Sequence, residues 1–89
     1  MAKRDLDDLE LAVLRAITVW RLGPGNAGNL HALGMAAVEK IRTEQRGTTD
    51  DWYRMKRKIP HTMETLVLGG YLDEQSGETT PKGRAILDR

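Results

Sequence analysis

The sequence predicts a mainly α-helical single domain over residues 1–89, with a small β-hairpin near its C-terminal end. Three observations carry that expectation. Apolar residues recur at intervals of three and four along most of the chain, the spacing of one helical face. Clear breaks fall at "GPGNAGN", 23–29, and at Gly69-Gly70. The stretch "LVLGGYLDEQSGETTPKGRAIL", 66–87, stops an apolar run at two glycines, turns through a polar centre and restarts at Thr-Pro.

The first helix is expected over 5–21, with Leu6, Leu9, Val13, Ile17 and Trp20 on its buried face. Asp5, Asp7 and Asp8 fall in its first turn and Arg15 and Arg21 later, the order that a helix dipole favours. Three Gly and a Pro then end it, and Asn26 or Asn29 can cap the next helix. That helix should run from about 29 to 45, bury Leu30, Leu33, Ala37, Val38 and Ile41, and stop at Gly47. Thr48 or Thr49 is a good cap for a third helix, followed by the acids Asp50 and Asp51.

Proline suits the first position of a helix better than its interior. Pro60 therefore divides the next region into a third helix at about 49–57 and a fourth at about 60–69, a helix-turn-helix. The competing reading is one long kinked helix over 50–69. Inward positions are Trp52, Met55, Ile59, Met63, Leu66 and Val67. Tyr71-Leu72 starts a strand, "DEQSGE" turns it with Gly77 free to take positive φ, and Thr79 ends a short return strand. Thr80 then caps a last helix with Pro81 at its first position, which can dock Ala85, Ile86 and Leu87.

Composition narrows the function classes. A chain 39% hydrophobic and 30% charged suits one soluble globular domain with one modest core. It lacks Phe, so Leu, Ile, Val, Met and the two Trp must fill that core. It lacks Cys as well, which excludes disulfides, thiolate catalysis and Cys-ligated zinc. The acidic "MAKRDLDDLE" has no apolar signal region, and no run reaches the ~18 apolar residues that span a bilayer, so a cytoplasmic location and no membrane partner are expected. Net charge is +1, but four of the five residues in "RMKRK", 54–58, are basic. The positive charge is local.

Residues 60–87 resemble the second half of prokaryotic winged helix-turn-helix proteins of the PadR and MarR types, and the N-terminal domain of Mrr-type restriction proteins. Leu66, Gly70, Tyr71, Leu72, Thr80, Gly83 and Arg84 occupy the family's pattern, with Thr at position 79 where an apolar residue is usual. The resemblance implies duplex-DNA binding by a small transcription regulator, with the fourth helix in the major groove and the hairpin, the wing, against the backbone.

On that reading Arg54, Lys56, Arg57 and Lys58 neutralise phosphates, while His61, Thr62 and Thr65 face base edges. Gln75 and Ser76 form the wing tip, and Lys82 and Arg84 touch the backbone beside it. Each has a plainer alternative: charge runs are usually solvated surface, and Arg84 has Asp88 four residues on as an ion-pair partner. Leu11, Leu14 and Val19 are candidate homodimer contacts, and Tyr53 could face nucleic acid or a protein.

"GPGNAG", 23–28, matches G-x-G-x-x-G, but a helical pattern precedes it where a dinucleotide site needs a strand, so no cofactor is expected. His31 and His61 lack a metal-ligand context, and the only Ser is in the hairpin turn, so neither a metal site nor an enzyme is expected. The alternative function is protein–protein interaction, as an adaptor or inhibitor, and the acidic wing residues Asp73, Glu74 and Glu78 favour it.

Overall fold

A computed structural model of the chain describes residues 6–45 and 49–88. Four helices follow one another: α1 (Asp8–Val19), α2 (Leu30–Gln45), α3 (Thr49–Leu68) and α4 (Pro81–Leu87), with a 3₁₀ turn at Pro24–Asn26. α1, α2 and α3 each touch the other two, and α4 rests on α1.

Asp7 caps α1. Its carboxylate accepts the Glu10 backbone N–H at 2.7 Å, and the Asp7 N–H donates to Glu10 Oε1 at 2.9 Å. This reciprocal box satisfies two otherwise orphaned donors and keeps Glu10 at the edge of the core. α1 ends earlier than the expected 21, because Arg21 takes a left-handed φ of 51° and the Leu22 N–H bonds back to the Ile17 carbonyl at 3.1 Å. Asn29 caps α2 through the Ala32 N–H at 3.0 Å. The expected Thr48 cap and Gly47 stop lie outside the described residues, as do the side chains of Thr49 and Asp50.

The core is one cluster: Leu6, Val13, Leu14 and Ile17 against Leu33, Ala37, Val38 and Ile41, closed by Ile59, Met63, Leu66, Tyr71 and Leu72. Two expectations for α1 need correction. Leu14 is 0% exposed and belongs to the core, so it is no dimer contact. Trp20 is 45% exposed, since α1 stops before it, and the Lys40 ammonium covers its ring at 4.6 Å. α2 and α3 approach closely at Gly34, where a Cβ would stand 2.5 Å from Ile59 Cγ2 and 3.0 Å from Met63 Cγ.

The helix-turn-helix split at Pro60 does not occur: α3 is one helix of 20 residues with Pro60 inside it. Pro60 cannot donate to the Lys56 carbonyl, a loss of roughly 3 kcal/mol in a helix interior. Both residues are exposed, so water can take up the orphaned carbonyl. Burial of Ile59, Met63 and Leu66 on a single continuous face offsets the rest.

The expected β-hairpin wing is also absent. Among the described residues no strand forms, and the segment has only one isolated antiparallel bridge, Leu72 to Thr79. Neighbouring residues are committed elsewhere. The Asp73 carboxylate folds back onto the Gln75 N–H at 2.9 Å, and the Gly77 N–H closes on the Asp73 carbonyl at 2.8 Å. On the other side Thr80 caps α4 through the Gly83 N–H at 3.1 Å and donates its own hydroxyl to the Gly70 carbonyl. The Tyr71 N–H is bonded to the Leu66 carbonyl at 2.9 Å and the Thr80 carbonyl accepts the Arg84 N–H at 2.9 Å, so the bridge does not extend toward α4. The fold is therefore a small helical domain with a tight polar turn before its last helix, and the winged architecture is overturned.

Candidate nucleic-acid interface

α3 turns Ile59, Thr62, Met63 and Leu66 inward. These are positions i, i+3, i+4 and i+7 of one stripe. The opposite side of its middle turns carries Arg54, Arg57, Lys58 and His61, again at i, i+3, i+4 and i+7, and all four are exposed. At 1.5 Å per residue they form a cationic strip about 10 Å long. Local sequence explains the strip: long unbranched Arg and Lys suit a solvated helix face, and the apolar stripe beneath fixes the phase.

Lys56 leaves the strip. Its ammonium lies 5.0 Å from the centroid of the Trp52 ring, and Arg42 of α2 approaches the same ring at 5.2 Å. Tyr53, exposed, meets Trp52 edge-on at 5.0 Å. Arg42 also lies 3.9 Å from Glu39. Beside the strip is a cleft of about 450 Å³ with Leu9, Ile41 and Met55 among its apolar lining and Arg42, Arg54 and Lys58 around it. Arg42 is the basic residue that sequence reasoning missed. It sits twelve positions before Arg54 in the chain, and only the packing of α2 on α3 brings it near.

Thr62 is corrected. It is 3% exposed and cannot face a base, because the inward stripe passes through it. Thr65 is half-buried, and His61 is open to solvent.

The remaining candidates lie at the far end of α3. The Ser76 hydroxyl accepts the Glu78 N–H at 3.2 Å, and the backbone at Gln75 is held by Asp73, so this tip is internally bonded. Lys82 donates to the Gly69 carbonyl at 2.7 Å and lies 4.7 Å from the Tyr71 ring centroid. It thus closes the carboxyl end of α3, where a cation is favoured. Arg84 is exposed beside a hollow it shares with Arg21 and Glu78, and forms no ion pair with Asp88. Arg57 and Gly69 are twelve residues apart, about 18 Å of helix. Between them the outward face of α3 carries Glu64 and Leu68.

The G-x-G-x-x-G segment forms the 3₁₀ turn, where the Asn26 side chain donates to the Leu22 carbonyl at 2.9 Å. Among the described residues no three His, Asp or Glu are grouped as metal ligands, and no helix is long and apolar enough to cross a membrane. Compared with known proteins, the chain matches no family model, no curated protein and no solved structure.

Proposed function

We propose that this domain binds duplex DNA through the outward face of α3 from Arg54 to His61, as a small cytoplasmic transcription regulator. The observation that carries the reading is the strip Arg54, Arg57, Lys58 and His61, four exposed side chains on one face of one rigid helix. A B-DNA major groove admits an α-helix, and cations on the exposed face reach its flanking phosphates. Arg42 extends the basic surface to the side, while the acidic turn at Asp73, Glu74 and Glu78 marks where the DNA would not lie.

Fluorescence anisotropy of a labelled mixed-sequence duplex tests the reading. Neutralising three phosphates predicts an affinity loss of roughly 40-fold between about 50 and 200 mM salt. Arg57→Glu should weaken binding to all sequences by about 10-fold or more and leave the helical circular dichroism unchanged. Absence of binding at the lower salt would refute it.

A further inference from the structure

The second half of α3 borders a different surface. Between it and the start of α2 lies a groove of about 310 Å³ with Leu30, Pro60, Met63 and Val67 among its lining residues. Leu68 stands on its edge, 77% exposed, the most open large apolar side chain of the described residues. Glu64 and Glu74 flank it, His31 lies at its α2 side, and no Lys or Arg lines it. Among the described residues neither carboxylate forms an ion pair.

We propose that this groove docks a short amphipathic segment of another protein, one with apolar anchors flanked by Lys or Arg. The lining from Ile59 to Leu68 spans nine residue steps, about 14 Å, which matches two to three turns of a docked helix. Apolar anchors would cover Leu68, Val67 and Pro60. Basic side chains would complement Glu64 and Glu74, and their aliphatic stems would cover the apolar rim. A nucleic acid is a poor occupant, because the groove offers phosphates two carboxylates and no Lys or Arg. A second copy in a two-fold arrangement is a poor occupant too. It would set Glu64 and Glu74 of one groove against the same residues of the other.

The proposal does not rest on the DNA reading, and its test contains no DNA. The probes are two labelled peptides of about 15 residues with Leu at i, i+3, i+4 and i+7, one filled with Lys and the other with Glu. The full chain is titrated into each at low salt, and anisotropy is read. The Leu/Lys peptide should bind with a dissociation constant of order 10 μM, and the Leu/Glu peptide at least about 10-fold more weakly. Leu68→Ser should weaken the Leu/Lys peptide about 10-fold by removing an apolar anchor point. Glu64→Lys combined with Glu74→Lys should reverse the preference. All three positions are exposed, so the variants should keep the wild-type circular dichroism. Four outcomes would overturn the proposal: no binding of the Leu/Lys peptide, equal binding of the two peptides, indifference to the variants, or self-association of the chain that Leu68→Ser abolishes.

Discussion

Gly34 shows what a single side chain can exclude. A Cβ there would press on Ile59 and Met63, two residues of the central cluster. Gly34→Val should therefore separate α2 from α3 and destabilise the fold by about 1–3 kcal/mol, read as a lower urea midpoint with an unchanged slope. An unshifted midpoint would mean that α2 and α3 do not meet at this residue. Thr62 and Trp20 show how far individual residues were legible. Sequence spacing sends Trp20 inward, as the last member of the α1 stripe, and Thr62 outward, beside a stripe drawn through Ile59, Met63 and Leu66 alone. In the fold the buried stripe of α3 is wide enough to take in Thr62, between Ile59 and Leu66, and α1 ends before Trp20, so spacing no longer governs that side chain. The caps at Asn29, one of two candidates with Asn26, and at Thr80 were legible because their chemistry is local, whereas Asp7 was read as a first-turn acid and is the cap of α1. Asn29, Thr80 and Pro81 each need only residues within three positions to act as they do.

At the scale of elements, α3 is the informative case. Its apolar spacing and its proline point to different structures, and the spacing prevails because Ile59, Met63 and Leu66 lose far more if the stripe is broken than the Lys56 carbonyl loses in water. Pro60→Ala should then stabilise the domain by about 1–3 kcal/mol, measured by thermal or urea unfolding, since alanine restores the missing donor. A destabilised Pro60→Ala would instead mean that proline starts a separate helix there. The hairpin was misread for the opposite reason. Turn chemistry is local, and Asp73, Ser76 and Gly77 do make the turn. Strand length is not local. It depends on partners, and here the Tyr71 N–H is bonded to Leu66 and the Thr80 carbonyl to Arg84.

Across the whole molecule, charge is divided along α3: cations on its first half, Glu64 and an open Leu68 on its second. A net charge of +1 hides this division, and so does a count of basic residues by segment. Glu64→Lys lengthens the strip toward the carboxyl end. It should strengthen duplex binding and steepen its salt dependence by about one phosphate, as measured by anisotropy at several salt concentrations. An unchanged slope would place the DNA nearer the amino end of α3 than proposed.

The contact between the Gly23 loop and the turn at Gly77 has a consequence for how the molecule opens. A Cβ on Gly23 would collide with the Gly77 carbonyl oxygen, so the two backbones touch. Beside them the hydroxyls of Thr18 and Thr79 share a hydrogen bond. The turn is thus packed against the Gly23 loop and fastened to α1, so it should not loosen alone. Surface turns commonly exchange their amide protons by brief local fluctuations. Here the Asp73 and Thr80 amides, bonded to Glu78 and Tyr71, should exchange in deuterated solvent about as slowly as the amides of α1. Thr79→Ala should release them without comparable acceleration in α2. Fast exchange in the unaltered protein would show that the turn opens independently of the helices beneath it.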